Sequence, residues 1–412
     1  MAAISGDNIK TPKKTNGGPA VLILGSVMQL FLGILYVWSV FVEPVSRVFD
    51  WRIESVKLTS SFMLCFFVVG IIAGGKLVLK IGSQKVVLGG GLLLSLGMFS
   101  TALLPSGAAW VMYITYGIIG GFGVGSAYNA IIVAAQKWFP QRRGLATGIV
   151  VCAFGLSTVI FAPLISALIG RFELRNTFLI LGGVFFTATA VFFKFIRLPD
   201  DISSTAPQAA GPAVTALLAR RQYVLSETVK TKQFYLIALS LAAATAPFFI
   251  LNPSFITYAY ARGVPEFSTI IVMLTGVANA CGRLTVPVLS DRIGREKAAL
   301  TVLLITSVCA LILTFAQGAV FIAVVLTTAF CFGGLPGLYA VLASDYFGIK
   351  NAGANYGAVM MGFAFSALVF PVLIGLLNDT MKFYALSAMA AGGVVLIIIL
   401  LFSKKKFEEA NA

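Results

Sequence analysis

The residue best suited to chemistry is Arg283, the one strong charge within an apolar stretch that runs from Phe267 to Leu289. Asn279 precedes it by four residues, so the two side chains share a face of a helix. A guanidinium in the hydrocarbon region costs about 2.5–3.5 kcal/mol and is normally kept only where it faces a bundle interior or an aqueous cavity. Since a guanidinium can hold a carboxylate with two parallel hydrogen bonds, the chemistry indicated is anion binding.

The alternative for Arg283 is a side chain that snorkels to the membrane surface. The basic loop that marks this surface continues to Lys297, about four helical turns further on. Such a distance exceeds the usual reach of a snorkelling arginine, which favours an inward-facing functional residue.

Other kinds of chemistry lack the residues they need. The chain has no histidine, and its five cysteines, Cys65, Cys152, Cys281, Cys309 and Cys331, all fall in apolar runs. They are interpreted as small buried apolar residues and not as disulfides or metal ligands. No nucleophile with a base and no carboxylate pair occurs at membrane depth, so we expect no enzyme, no cofactor and no metal.

Composition places the chain in a membrane. Of its 412 residues, 59% are hydrophobic and 11% charged, a balance atypical of soluble domains. The net charge of +15 resides in short loops, so it reports topology and not nucleic-acid binding. Most of the Lys and Arg fall on the side that carries both termini, which predicts cytoplasmic termini.

Apolar runs predict twelve spans, at residues 20–42, 56–79, 86–104, 108–136, 143–170, 176–196, 233–260, 267–289, 298–316, 319–344, 353–377 and 383–402.

The chain also contains an internal repeat. The segment Ile81-Gly82-Ser83-Gln84-Lys85 after span 2 matches Ile293-Gly294-Arg295-Glu296-Lys297 after span 8, and Trp138-Phe139-Pro140 matches Tyr346-Phe347-Gly348. We therefore predict an N-terminal six-helix half (1–196), a cytoplasmic linker (197–232) and a C-terminal six-helix half (233–412). Two such halves are typical of transporters that alternate access around a midplane site. A channel would need rings of polar or charged residues, and the repeat disfavours a receptor or a structural protein.

The loop from Ser290 to Lys297, SDRIGREK, resembles the pattern between spans 8 and 9 of the major facilitator superfamily. The resemblance implies an all-α fold of twelve transmembrane helices and a gating or structural role for Asp291, Arg292, Gly294 and Arg295. The first-half copy of this loop departs from the pattern, with Leu79 at the aspartate position.

Finer motifs resemble one branch of this family. They are LYVWSVFVEPV in span 1, GVGSAYNA with KWFPQRRGLATG after span 4, NACGRL in span 8, SDYFG after span 10 and NYG opening span 11. They are similar to bacterial oxalate:formate antiporters and monocarboxylate transporters, which implies a multi-pass protein of the bacterial inner membrane. In the antiporters an arginine in span 8 and a lysine in span 11 hold the oxalate dianion. Arg283 matches the first, whereas Phe363 stands at the lysine position.

This departure bears on the substrate. One buried cation neutralises one carboxylate, and a second, unpaired carboxylate would cost several kcal/mol. We therefore expect a secondary transporter of small monocarboxylates of the lactate or pyruvate type, proton-coupled and with fast exchange. An oxalate:formate-type antiporter is the alternative. Animal monocarboxylate transporters have an aspartate thought to act in proton coupling where this chain has Asn279, so the proton carrier stays open.

The remaining candidate residues are aromatic. By resemblance, Tyr128 and Tyr36 belong to the substrate site, although for both a packing role is an equal alternative. An apolar wall is expected from Phe363, Phe332 and Tyr339, with Phe154 as a further candidate. Asn279 is expected either to bind the substrate or to orient Arg283. The expected partners are a small carboxylate and lipid, with a proton left open, and the chain is expected to be a monomer that binds no nucleic acid.

Overall fold

The computed structural model describes residues 17–199 and 221–409, and the regular elements there are all helical. Nine helical stretches of this part of the chain are long and apolar enough to cross a membrane. The longest of them, Arg143–Phe195, contains both spans 5 and 6. The helices follow the order of the predicted spans, whose numbers are kept below. The prediction of an all-α bundle of two six-helix halves is confirmed.

The first half begins with an irregular span 1. Helix Gly17–Leu32 passes through a 3-10 turn, Gly33–Val37, into helix Trp38–Phe49. Span 2 is Ile53–Ile81 and span 3 is Ser83–Ala102. Span 4 starts as a wide π-helical stretch, Tyr113–Gly120, and continues as the α-helix Gly121–Trp138.

Spans 5 and 6 form one long helical run, Arg143–Phe192. Sequence predicted two helices, 143–170 and 176–196, with a loop between them. The structure replaces this loop with a single non-helical residue, Glu173, whose φ of +66° breaks the run. Charged residues surround the break, so the chain reverses where the apolar pattern ends.

The second half repeats the plan. Its spans are Lys232–Leu251 extended by Phe255–Ala261 for span 7, Ser268–Ile293 for span 8, Arg295–Ile312 for span 9, Gly318–Phe347 for span 10, Ala352–Gly375 for span 11 and Asp379–Glu409 for span 12. Gly82 (φ +83°) and Gly294 (φ +96°) end spans 2 and 8 in the same left-handed conformation. Only glycine adopts this conformation without strain, so the matched loops of the two halves share one turn geometry.

Part of the predicted linker packs against the second half. Within the described residues 221–232, the amide of Tyr223 donates to the carbonyl of Phe347 (3.0 Å), and the hydroxyl of Thr228 donates to Asn355 Oδ1 (3.0 Å). The Val224 amide and the Arg221 side chain hold the pKa of the exposed Glu227 carboxyl below its usual value. The preceding residues 200–220, with the Pro- and Ala-rich sequence, lie outside the described residues.

Both described ends of the chain lie at one end of the bundle, called the terminal face below. Here Gly17 lies against Trp138 and Arg197, and Phe407 stacks on Tyr223 (5.7 Å between ring centroids). The halves pack together through spans 2 and 11 and through spans 5 and 8. Where span 2 meets span 11, the backbones of Gly75 and Gly353 are so close that a Cβ on either glycine would overlap the backbone of the other.

Candidate functional site

Arg283 is buried at the junction of the two halves, with 1% of its surface exposed. Its Nε donates a 2.7 Å hydrogen bond to Asn279 Oδ1, and its Nη2 donates to the hydroxyl of Tyr36, in the other half, at 3.3 Å. In the described part of the chain Nη1 has no hydrogen-bond partner, and no carboxylate pairs with the guanidinium. Arg283 is therefore oriented from one side and left with donor capacity on the other.

Two glycines make room for this arrangement. Gly33 lies against the carbonyl of Phe154 and the side chain of Ser157, where a Cβ would overlap both, so span 1 approaches span 5 closely and bends through its 3-10 turn beside Tyr36. A Cβ on Gly155 would come within 2.6 Å of the Arg283 Cδ. The missing side chain at Gly155 therefore provides the space through which Arg283 crosses the interface.

Aromatic rings of the first half surround the guanidinium. The Arg283 Cζ lies 5.4 Å from the ring centroid of Tyr36 and 5.7 Å from that of Phe154. Phe154 in turn contacts Tyr36 (5.5 Å) and Tyr128 (4.8 Å) edge to face. A cation over such ring faces gains roughly 0.5–2 kcal/mol per contact, which lowers the cost of burying Arg283. The predicted residues Arg283, Asn279, Tyr36, Tyr128 and Phe154 thus lie together.

Tyr356 joins this group, although no role was predicted for it from the sequence. Its fully buried hydroxyl approaches that of Tyr128 without a well-formed hydrogen bond in the described part of the chain, and it interacts electrostatically with Arg283. A buried hydroxyl without a well-formed hydrogen bond in the described residues has donor capacity left for a further group. The NYG motif that contains Tyr356 was the available signal.

The other predicted aromatics lie in a second group, within the second half. Phe363 packs edge to face on Phe249 (4.9 Å), and Phe332 stacks on Phe248 (4.0 Å) and contacts Phe363 (5.8 Å). The Tyr339 hydroxyl is hydrogen-bonded to the Ser240 hydroxyl at 2.9 Å. Among the ring contacts of the described residues, none joins this group to the rings around Arg283. A role for these three residues in an apolar wall stays a prediction.

The predicted gating loop connects the halves at the terminal face. Asp291 accepts hydrogen bonds from the amides of Gly144 (3.1 Å) and Leu145 (3.0 Å), at the start of span 5. It therefore caps a helix of the other half, where a carboxylate also complements the helix dipole. Arg295 pairs with Asp291, and Gly294 supplies the turn between the two. Arg292 is exposed.

Asp345 extends this network. It pairs with Arg143 of the first half and with Arg295 (3.3 Å), so one carboxylate links the halves through two arginines. In the first half Leu79 occupies the position that corresponds to Asp291, and Asn129 connects the halves there instead. Its amide nitrogen donates to the carbonyls of Ile71 and Gly353, each at 2.7 Å. Spans 2 and 11, and likewise spans 5 and 8, are thus in contact at the terminal face, so this face of the bundle is closed.

The chemistry of the site is that of an anion-binding group. In the part of the chain that the structure describes, no group of three or more His, Cys, Asp and Glu side chains is placed to hold a metal ion. What the geometry offers is a buried, oriented guanidinium with phenolic hydroxyls beside it, enclosed by helices from both halves. An arrangement of this kind is suited to a small anion, through its charge and two or three hydrogen bonds.

Curated relatives of the chain include transporters of organic acids. The chain is 24% identical over 366 residues to the uncharacterized MFS-type transporter YhjX of Escherichia coli (87% of this chain, 88% of the relative). It is 25% identical to the oxalate:formate antiporter of Oxalobacter formigenes (80% and 78%). It is 24% identical to monocarboxylate transporter 13 of Rattus norvegicus (93% and 88%).

A solved structure supports the same fold. The major facilitator transporter FucP in its outward conformation superposes with a TM-score of 0.69 at 16% identity, over 92% of this chain and 98% of that chain. The sequence also matches the Major Facilitator Superfamily over residues 21–371 and again over residues 288–412, which together take in nearly the whole chain. The protein therefore belongs to the major facilitator superfamily, whose members are multi-pass membrane transporters and not enzymes.

Proposed function

We propose that this transporter carries small monocarboxylates of the lactate or pyruvate type, which bind to Arg283 between the two halves. The carrying observation is the buried guanidinium, held by Asn279 on one side, with its Nη1 free of partners in the described residues. A carboxylate would accept hydrogen bonds from the Nη1 and Nη2 groups. It would also offer the Tyr356 hydroxyl a stronger acceptor than the neighbouring Tyr128 hydroxyl.

The charge of the site favours one carboxylate over two. Arg283 and a monocarboxylate sum to zero, so the occluded site is neutral. A dicarboxylate would leave one negative charge in a low-dielectric environment, which is costly. Phe363, at the position of the antiporters' lysine, packs among phenylalanines and supplies no second cation. An oxalate:formate type of exchange is the second candidate, supported by the likeness to that antiporter.

The halves would alternate access by rocking about this site, as the internal repeat suggests. We assign residues 1–196 and 233–412 to the two moving halves and 197–232 to the linker. The excess of positive charge in the loops on the side of the termini supports a cytoplasmic terminal face, and the bacterial inner membrane is the proposed location.

Coupling follows from the charge of the empty carrier. Without substrate, the transporter has to pass through the occluded state with Arg283 as an unpaired cation. With a carboxylate bound, the site as a whole is neutral in that state. The hydrogen bonds to Asn279 and Tyr36 and the rings of Tyr36 and Phe154 offset part of the roughly 2.5–3.5 kcal/mol penalty of a bare arginine. We expect exchange to exceed net uptake by about tenfold, since each 1.4 kcal/mol is a factor of ten. Proton-linked net transport is the proposed physiological mode.

Reconstituted vesicles test these proposals. Uptake of labelled lactate, pyruvate, formate and oxalate is measured at fixed pH into vesicles preloaded with the same unlabelled acid and into empty vesicles. Lactate or pyruvate uptake that preloading accelerates supports the proposal. Transport of oxalate in preference to both acids supports the antiporter instead. Equal rates in preloaded and empty vesicles contradict the charge argument, and an inward proton gradient that leaves net uptake unchanged contradicts proton coupling.

A further inference from the structure

Spans 5 and 8 run antiparallel across the interface between the halves with a constant register. A Cβ on Gly144 would overlap the Pro287 carbonyl, and a Cβ on Gly148 would lie 2.9 Å from the Leu284 carbonyl oxygen. Further along span 5, a Cβ on Gly155 would lie 3.7 Å from the Ala280 Cα. As residue numbers rise along span 5, those of its neighbours fall along span 8.

This register brings two cysteines level with each other. Cys152 lies between Gly148 and Gly155 on span 5, and Cys281 lies between Ala280 and Leu284 on span 8. The thiol of Cys152 is close enough to interact electrostatically with Cys281 and with Arg283. The backbones on either side of the pair lie close together, since a Cβ on Gly155 would be 3.7 Å from the Ala280 Cα. A disulfide needs two Cα atoms about 4.4–6.8 Å apart, so a close approach of this kind is its first requirement.

Contrary to the sequence expectation that all five cysteines are buried, one thiol of this pair is exposed. Cys281 is exposed on the outer face of span 8, one turn from the exposed Val277 and one turn from the exposed Thr285. Cys152 is half-buried at the edge of the same interface. A lipophilic reagent can therefore reach the pair from the bilayer without passing through the substrate site.

We propose that Cys152 and Cys281 form a redox modification site that reversibly fastens the first half to the second. In the reaction each thiol loses one proton and one electron, and one S–S bond forms. A two-electron lipophilic oxidant of the quinone class accepts both electrons and both protons and becomes the quinol. Thiol exchange with a dithiol reductant reverses the step.

The bond would stop transport without touching the anion site. Spans 5 and 8 are in contact from the start of span 5 at the terminal face to the level of Arg283, so opening that face has to separate them. A covalent link at the level of Cys152 prevents this separation. The inference takes from the proposed function only the rocking of the halves and does not depend on the identity of the substrate.

The chain contains its own controls. Cys309 and Cys331 also lie near each other, but both are buried in the second half, so a link between them would leave the halves free to rock. Cys65, half-exposed on span 2, is a single accessible thiol. Cys152→Ser and Cys281→Ser should each abolish sensitivity to oxidant, whereas Cys65→Ser should stay as sensitive as the unmodified protein.

The experiment treats the full chain in lipid vesicles with copper phenanthroline or with a short-chain quinone, then alkylates the remaining thiols. We expect mass spectrometry to show two of the five thiols lost and one peptide that joins Cys152 to Cys281 within a single chain. Exchange should fall at least about tenfold and return with dithiothreitol. Five alkylated thiols, a Cys309–Cys331 link, links only between chains, or a Cys152–Cys281 link with unchanged exchange would each overturn the proposal.

The peptide analysis separates this inference from the proposed function. If the link forms but the reduced protein transports none of the four acids, the proposed substrate class fails while the site stands. In that case the opening of the terminal face is read out by hydrogen exchange at the amides of Gly144 and Leu145, which donate to Asp291 while the face is closed, with and without oxidant. Exchange that oxidant slows supports the lock, and exchange that oxidant leaves unchanged overturns it.

Discussion

Arg283 and Tyr36 join the two halves of the transporter through a single 3.3 Å hydrogen bond from Nη2 to the phenolic oxygen. The phenol is a neutral acceptor, so a carboxylate, whose hydrogen bonds with a cation are about twice as strong, should displace it. Substrate binding would then replace the hydrogen bond between Arg283 and Tyr36, which connects the halves, with hydrogen bonds between Arg283 and the substrate. This relationship places Arg283 at the centre of the predictions below.

Arg283→Lys should impair transport although it preserves the charge. A lysine cannot make the two parallel hydrogen bonds to a carboxylate, nor donate to Asn279 with the same geometry. Loss of one charge-assisted hydrogen bond, about 1.5–3 kcal/mol, predicts a roughly tenfold to hundredfold fall in kcat/KM for exchange. The matched control is Arg52→Lys, at an exposed arginine just ahead of span 2. Equal kinetics for the two variants would contradict the assignment of Arg283.

Tyr356→Phe should weaken substrate binding and stabilise the empty protein. The change removes a buried hydroxyl that lacks a well-formed hydrogen bond in the described residues, which favours folding, but it also removes a donor to the carboxylate. We expect about a tenfold higher KM together with a higher Tm. Tyr339→Phe is the control with the opposite pattern, because it breaks the hydrogen bond to Ser240. It should lower Tm and leave KM unchanged. An unchanged KM in Tyr356→Phe excludes the contact.

Phe363→Lys should move preference from lactate towards oxalate. The new cation attracts a second carboxylate and disfavours an apolar tail, and specificity is the difference between the two affinities. Phe363→Met, which removes the ring without adding charge, controls for the loss of packing on Phe249 and Phe332. Competition assays in vesicles give the oxalate to lactate ratio. A similar ratio in the lysine and methionine variants, both folded, would mean that position 363 does not face the substrate.

Gly144→Ala should hinder closure of the terminal face. The added Cβ would overlap the Pro287 carbonyl and would lie 2.6 Å from the Asp291 carboxylate. Because Gly144 and Pro287 both lie within helices, neither backbone can shift easily. Overpacking of about 1–3 kcal/mol corresponds to a roughly 5- to 150-fold shift away from the closed arrangement. Transport rates and the spacing of spin labels across the terminal face measure the shift. Gly89→Ala, which meets nothing within 4 Å, is the control and should resemble the unmodified protein.

Asn279→Asp should make transport depend on pH in a defined direction. The ionised aspartate would pair with Arg283 and neutralise the anion site, whereas the protonated form would leave the guanidinium available. The variant should therefore be inhibited at high pH and recover as pH falls through the pKa of the new carboxyl. Initial rates relative to the unmodified protein, measured between pH 5 and pH 8, test this. A relative rate that is constant or falls towards acid pH would contradict it.

The sequence alone was sufficient for the order of the twelve spans and for singling out Arg283 as a candidate, because each depends on a local property. Membrane-spanning helices follow from the hydropathy of consecutive residues, and a charge within such a run is visible without knowing its neighbours. Asn279 could also be linked to Arg283, since residues four apart share a helix face. The glycines at the ends of spans 2 and 8 were part of the internal sequence repeat.

The tertiary structure decided which side chains meet when they lie far apart in the chain. The grouping of Tyr36, Tyr128, Phe154 and Tyr356 around Arg283, and the position of Cys152 beside Cys281, depend on how deeply each helix sits and how it is rotated against its neighbours. Depth and rotation are set by close contacts at single glycines, such as Gly33 against Phe154 and Gly155 against Arg283. Hydropathy and periodicity contain no information on these contacts, because they report how a helix meets lipid and not which helix it meets.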